Sequence, residues 1–466
     1  MSERPRIGLL GIMQELYDDM IPGITERQGQ YAASVAERLG GVADVRFLRP
    51  ARNRDDVEAI TGELLAGGVD GLMIVMLTYG PAMRTVRALI DVPVPLLLAN
   101  IQPERSITAE WDMDDLTYNQ GIHGAQDQAN ALLRANLPFS VITGDWRSPE
   151  FEHAFADWAF SARAITALRR ARIALLGYPM NGMGDILYDP PALLRSLGPM
   201  IVSEDLGGLV ERLEAVTDAE VGQVLDRHRE LFEVADDLPA ARHRYAARME
   251  VAIRGMLTDG GYAGFSFHFD SIGGDGRFEQ LPLLAASDLM ADGYGYAAEG
   301  DTNTAVLMCA AQTLIAPGEA HFSEMYAMDW ALDSVLISHM GEGNWRVARG
   351  DRPVRLIDRE LGIGGLDNPP TPVFSAQPGP ATTAALVPIE GDHYRLVVGH
   401  GEVLDTPELP KVEMHYFHFR PDVGMKAFMD DWLALGAPHH FVTNLGEHAP
   451  RWRRFAELLE LEYEEI

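Results

Sequence analysis

The chain has 466 residues, 47% hydrophobic and 23% charged, enough for two or three packed cores and ordinary for a globular protein. Its 69 acidic residues against 38 Lys and Arg leave a formal net charge of −31, which argues against a phosphate-binding surface for nucleic acid and against docking on an anionic membrane. A single cysteine, Cys309, excludes an intrachain disulfide, and its apolar surroundings (Val306-Leu-Met-Cys-Ala-Ala311) mark it as packing rather than a nucleophile.

In chain order, Met1-Ser-Glu-Arg-Pro-Arg6 leads into a strand without a leader pattern, and no later apolar run reaches the ~20 residues that span a bilayer. The expectation is a cytoplasmic protein without nucleic-acid or membrane partners. Short apolar runs at Arg6–Met13, Gly71–Thr78, Val92–Asn100 and Phe139–Gly144 alternate with helical stretches at Gly29–Leu39, Val57–Leu65, Ala82–Leu89 and Gly121–Ala135. Apolar strands alternating with amphipathic helices predict a parallel sheet covered on both faces, with ligands gathered at the carboxyl ends of its strands. A second α/β unit follows: a strand at Ile173–Gly177, a Gly- and Met-rich loop at Tyr178–Gly184, helices over Leu206–Leu257, a strand at Gly261–Asp270, a helix at Leu281–Ala291 and a strand at Tyr294–Ala298. From Glu319 the pattern shifts to short segments rich in Val, Thr, Tyr and Phe: Pro372–Ser375, Ala384–Pro388, His393–Val398 and Lys411–Phe419. Alternation in Val412–Phe419 predicts a strand with one wet face, and helices are expected at Gly424–Leu435 and Arg451–Leu459. The fold class expected is α/β: two doubly wound, Rossmann-like parallel-sheet domains (1–171 and 172–318), then a mainly antiparallel β domain (319–466).

Four segments carry candidate chemistry. Ala298-Glu-Gly-Asp-Thr302 places Glu299 where a strand end delivers it into a cleft, whereas Asp301 suits a helix N-cap. Glu324 interrupts an apolar stretch, which makes it either ion-paired or a ligand. His339 ends a hydrophobic run, and Pro438-His439-His440 sets two histidines after a turn. Two glutamates with two histidines form a mixed oxygen–nitrogen set suited to Mn²⁺, Co²⁺ or Zn²⁺. Spacing alone does not select these four from the other histidines, such as His268, His415 and His418.

Several segments resemble the L-arabinose isomerases. Gln280-Leu-Pro, Leu289-Met and Gly293-Tyr-Gly-Tyr-Ala-Ala-Glu-Gly-Asp301 are similar to that family's Q-L-P and G-Y-G-F-A-G-E-G-D. Asp112-Met-Asp114, Asn119-Gln120, His123-Gly124 and Val141-Ile-Thr-Gly-Asp-Trp146 resemble its D-M-D, N-Q, H-G and V-T-G-H-W. Gln14-Glu-Leu-Tyr17, Ser338-His-Met340 and His439-His440 resemble its Q-H-L-Y, S-H-M and G-A-H-H. The likeness runs over nearly the whole chain, at a distance. It implies metal ligands Glu299, Glu324, His339 and His440, with the two glutamates also as acid–base groups. It implies sugar contacts at Gln14, Leu16, Tyr17, Gln120, His123, Met183, Phe269, Met340 and His439. A divalent metal, Mn²⁺ first and Co²⁺ second, is implied, as is a homo-oligomer (tetramer or hexamer) with His123 reaching a neighbour's pocket. Departures fall at Asp18, Thr302 and Phe441.

The activity implied is a metal-dependent aldose–ketose isomerisation of L-arabinose to L-ribulose, and of D-galactose to D-tagatose, through a cis-enediol intermediate. The alternatives are an isomerase for another sugar such as L-fucose, and a non-catalytic hinged sugar-binding protein. The first strand turn, Gly11-Ile-Met-Gln-Glu-Leu16, lacks G-x-G-x-x-G, which disfavours a dinucleotide-dependent dehydrogenase.

Overall fold

The structure, a computed structural model, describes residues 4–391 and 393–466; the reading of Met1–Glu3 lies outside them. The chain divides into two compact units, Met1–Thr166 and Ala167–Ile466. In the first, strands β1 (Arg6–Ile12), β2 (Asp44–Phe47), β3 (Gly71–Met76), β4 (Leu96–Asn100) and β5 (Ser140–Thr143) form one parallel sheet in the order β2-β1-β3-β4-β5. The central β3 is buried at all six positions, as a strand covered on both faces must be. Its Gly71 has no room for a Cβ, which would lie 2.7 Å from Trp158 on the helix Pro149–Leu168.

The second unit opens with another parallel sheet. Strands β6 (Arg172–Leu176), β7 (Met200–Glu204), β9 (Gly264–Phe267) and β10 (Gly295–Ala298) stand in the order β10-β9-β6-β7, and the two-residue β8 (Glu233–Val234) belongs to a separate small sheet. That small sheet is completed by β13 (Arg355–Asp358) and β14 (Pro370–Val373). The antiparallel domain comprises β11 (Ala320–Asp329), β12 (Ser334–Ser338), β15 (Gly379–Pro388), β16 (Tyr394–Val403), β17 (Tyr416–Pro421), β18 (His440–Leu445) and β19 (Glu462–Glu465). The order β15-β18-β11-β12-β17-β16 closes on itself through the β15–β16 hairpin, giving a barrel to which β19 adds a parallel strand. The fold is thus α/β, with two Rossmann-like domains followed by an antiparallel barrel.

One helix joins sheet and barrel. Thr302–Leu314 packs on β9 and β10 on one side and on β11, β15 and β18 on the other. That explains why it is apolar all round rather than striped. Cys309 on it is buried and accordingly inert packing.

Some expected elements differ. Lys411–Phe419 is a strand only from Tyr416, and Tyr416–Phe419 is buried throughout rather than wet on one face. The outer face is covered by the preceding coil, whose Thr406 Oγ1 accepts from His418 N and whose Leu409 N donates to Tyr416 Oη. Ala82–Leu89 is broken into a 3₁₀ turn, Ala82–Arg84, and one helical turn, Val86–Leu89. The strand expected over Gly261–Asp270 stops at Phe267, because a helix starts at Phe269.

Candidate active site

Glu299 lies one residue beyond the carboxyl end of β10, with a left-handed backbone (φ +62°) that a non-glycine residue adopts at a cost of roughly 1–2 kcal/mol. Gly300 follows, also left-handed (φ +80°), and a Cβ there would sit 2.5 Å from the Tyr178 carbonyl oxygen. The chain turns sharply between strand and helix, so the glutamate projects at the ligand-binding edge of the sheet. The loop after β6 leans on this turn, Met180 N donating to the Glu299 carbonyl at 2.9 Å.

The barrel supplies the other groups. On β11, Glu324 pairs with Ser338 on one flank and His440 on the other, so its neighbours across the sheet are the segment carrying His339 and His440 itself. A β-bulge follows Glu324 at Tyr326, a device that redirects side chains beside sites. Glu324 Oε2 lies 4.0 Å from His339 Nε2, and Glu299 Oε2 lies 3.6 Å from His440 Nε2. The two imidazoles are 5.6 Å apart between ring centroids, each edge-on to Phe322.

A buried carboxylate stands behind each histidine, within hydrogen-bonding distance of His440 Nδ1 and beside His339 Nδ1, which makes no hydrogen bond. Asp301 accepts from Thr304 N through Oδ1 (2.9 Å), capping the central helix, and its Oδ2 lies 3.0 Å from His440 Nδ1. Glu342 lies 3.2 Å from His339 Nδ1 and accepts from Tyr296 Oη at 2.7 Å. Burial opposes charge on His339, but Glu342, Glu324 and Glu299 outweigh it and raise its pKa. Burial alone would raise Glu299; His439, His440 and His339 outweigh that and hold it below the ordinary carboxylate value. On the open side, His439 Nε2 is 3.8 Å from Glu299 Oε2, while its Nδ1 is 2.6 Å from Asp185 Oδ2. The His439 hydrogen bond lowers Asp185 to about 2. Burial works against a charged His439, but the bonds to Asp185 and Glu299 more than offset it and carry its pKa up to about 10. Asp185 and Glu342 escaped the sequence reading, one lying in a Gly-rich loop and the other in a turn.

Glu299, His339 and Met340 line a cleft with Phe269, whose apolar wall continues through Leu281 and Leu361. Met183 is half-buried in the loop after β6. In the first unit, Gln14, Leu16 and Tyr17 lie just past β1, Gln120 stands at the N-cap position of the helix Gly121–Arg134 without a capping hydrogen bond from its side chain, and His123 is exposed on its first turn. Asp18 there is engaged by Arg52 (3.2 Å) and by the Thr25 hydroxyl.

The donor set fits a divalent cation. Glu299 Oε2 and His440 Nε2 are buried without hydrogen-bond partners, and the other ring nitrogen of His440 is taken by Asp301. Two groups of described residues bring ligand atoms within 4.8 Å: Glu299, His439 and His440, and a separate set of His228, Glu250 and Asp288. The second set is compatible with a cation by composition, but Arg227 and Arg254 already neutralise its carboxylates.

Three family profiles match in succession: L-arabinose isomerase N-terminal domain over residues 11–170, central domain over 194–317 and C-terminal domain over 319–462. The L-arabinose isomerase of Acidothermus cellulolyticus is 30% identical, covering 96% of this chain and 91% of its own length. Those of Aeromonas hydrophila and Halalkalibacterium halodurans are 31% and 28% identical, covering 84% and 94% of this chain and 80% and 90% of their own.

Proposed function

The chain belongs to the L-arabinose isomerase family as a distant member, an aldose–ketose isomerase, and on that premise we propose that it converts L-arabinose to L-ribulose, and D-galactose to D-tagatose, with a bound Mn²⁺ or Co²⁺. The observation that supports this most is the pairing of Glu299 with His440 (3.6 Å) and of Glu324 with His339 (4.0 Å) around histidines 5.6 Å apart, with Glu299 Oε2 and His440 Nε2 buried and unpartnered. These four would hold the cation, which supplies Lewis-acid polarisation of the sugar carbonyl when bound. The protein's own work is proton transfer and positioning. One glutamate takes the C2 proton of the open-chain aldose and returns it to C1 of the cis-enediol, while the O2 hydroxyl proton passes to O1 so that the carbonyl ends on C2, with the second glutamate beside it. The histidines around Glu299 keep it ionised and able to accept. His439, on the open side, contacts the substrate, and Phe269, Met340 and Met183 form its apolar wall. Gln14, Leu16, Tyr17 and Gln120 contribute sugar contacts. His123 reaches a neighbour's pocket in a tetramer or hexamer, and the enzyme works in the cytoplasm. Among the described residues no helix is long and apolar enough to cross a membrane.

A second sugar remains in view because of two positions. Asp18, fixed by Arg52 and Thr25, brings a charge to the end of β1, and Thr302 is buried at the helix start beside Glu299. Ketose formation from L-arabinose, D-galactose and L-fucose should be measured on metal-stripped protein, with and without Mn²⁺. Restored turnover of L-arabinose is expected. Turnover of L-fucose alone would shift the substrate and keep the chemistry, while no turnover of any sugar would sink the isomerase reading of the site.

A further inference from the structure

Asp185 contributes a carboxylate to the edge of the site although it is neither a donor of the mixed quartet nor part of the cleft wall. It sits in the 3₁₀ turn Gly184–Ile186, in the loop that follows β6. This loop is tied down at three points. Met180 N donates to the Glu299 carbonyl (2.9 Å), Asn303 Nδ2 donates to the Leu187 carbonyl (3.2 Å), and Asp185 reaches across to the barrel. There its Oδ2 accepts twice from one residue, from His439 N at 3.2 Å and from His439 Nδ1 at 2.6 Å.

The double contact has a chemical consequence. A carboxylate oxygen only accepts, so the hydrogen on the His439 ring at this contact is on Nδ1. The backbone bond fixes where the residue starts and the ring bond fixes its rotation, so Nε2 is turned toward Glu299 Oε2, 3.8 Å away. Without Asp185, His439 is an exposed-side imidazole free to turn over and present Nδ1 or carbon instead. Its ring already lies 4.0 Å, centroid to centroid, from that of His440, which blocks one direction of escape but not rotation about the ring's own axis.

We propose that Asp185 is a positioning residue for the isomerisation, acting through His439 to hold Nε2 against the substrate at Glu299. The role rests on the isomerase reading only in naming the reaction; the geometry concerns any polyol bound beside Glu299. Carboxylates that orient a functional histidine from behind are worth about 10–100-fold when removed. Asp185 differs from Asp301 and Glu342 in backing a histidine outside the proposed quartet: His439 lies within 4.8 Å of the Glu299 and His440 donor atoms, yet in this proposal its Nε2 serves the substrate and not the ion, so loss of Asp185 should leave cation affinity alone.

The test is a double-mutant cycle with Asp185→Ala and His439→Gln in the full-length, Mn²⁺-loaded protein, read by turnover of L-arabinose and by calorimetric binding of its reduced polyol, L-arabinitol. Asp185→Ala should weaken both about 10–100-fold, leave Mn²⁺ affinity within about twofold, and add nothing to His439→Gln in the double variant. Asp185→Glu, which restores the carboxylate, should recover part of the loss. Normal turnover and normal arabinitol binding in Asp185→Ala overturn the proposal. So do losses that multiply with those of His439→Gln, or Mn²⁺ affinity that falls in step. If Asp185→Ala does not fold, the isosteric Asp185→Asn enters the same cycle with the same criteria. Wild-type protein that makes no ketose from any sugar defeats the isomerase reading, whereas the arabinitol cycle still decides the role of Asp185.

Discussion

Asp301 performs two tasks with two oxygens, and substitutions can separate them. Asp301→Asn keeps an acceptor for Thr304 N and should cost little stability, whereas Asp301→Ala should lose about 1 kcal/mol through the missing cap. Both should weaken Mn²⁺ binding about 10–100-fold, measured by titration calorimetry, because His440 Nδ1 loses its charged partner. Glu299→Gln and Glu324→Gln should each reduce turnover at least a hundredfold with folding unchanged, and normal turnover in either would remove that residue from the chemistry. A buried group away from the site also contributes to the pH dependence of stability. His228 is fully buried between Asp288 Oδ2 (2.8 Å) and His243 Nε2 (2.8 Å), with Glu250 at 3.6 Å and Arg227 and Arg254 outside. Burial opposes its charge, but Asp288 and Glu250 prevail and raise it from 6.5 to about 9. A raised folded pKa means stabilisation that is present near pH 6.5 and is lost as pH climbs through about 9. Denaturant unfolding from pH 6 to 10 should show that decline, and His228→Gln should make it shallower, leaving the share that belongs to His439, while lowering stability at pH 7. At this scale the sequence was partly legible. Glu299 and Glu324 stand out as acids in apolar surroundings, but His339 and His440 were chosen from fourteen histidines only through the family resemblance. Asp301 read as a cap because it is one; nothing local reveals that its second oxygen reaches a residue far along the chain.

Among elements, the helix Thr302–Leu314 sets the site, since its N-terminus holds Asp301 and its flanks carry both sheet and barrel. Close packing on the sheet depends on Gly295, where a Cβ would lie 2.3 Å from Cys309 Sγ and 2.6 Å from the Ala305 carbonyl oxygen. Gly295→Ala should therefore destabilise by about 1–3 kcal/mol, seen as a lower thermal midpoint, and should displace Glu299 enough to lower turnover. An unchanged midpoint would mean that the helix has room the contacts deny. The apolar runs announced the buried central strands β1, β3 and β4 because burial on both faces leaves one composition to choose from. The edge strands β2 and β7 were missed, being short and only half-buried, with mixed composition. The barrel strands were located less well, because coil segments rather than water cover some of their outer faces, which erases the alternation that periodicity relies on.

Across the whole molecule the charge of −31 is the dominant property that no single contact explains. Self-repulsion at this level opposes compactness and is screened over about 10 Å at 0.1 M salt, so the thermal midpoint should rise by several degrees between ~10 mM and ~500 mM NaCl. A midpoint independent of salt would mean that local ion pairs already balance the field. Domain class was legible from the order of strand types, while the meeting of sheet and barrel at the central helix was not, because long-range pairing leaves no local trace. That meeting also has a consequence in time. Glu324 and His440 are direct neighbours across β11 and β18, yet a large part of the antiparallel domain separates them in the chain. Contacts of such separation close late, after the entropy of a long loop has been surrendered. The proposed cation site is therefore among the last features to appear in refolding, so an ion added at the outset should leave the early kinetic phases unaltered and change only the slowest one.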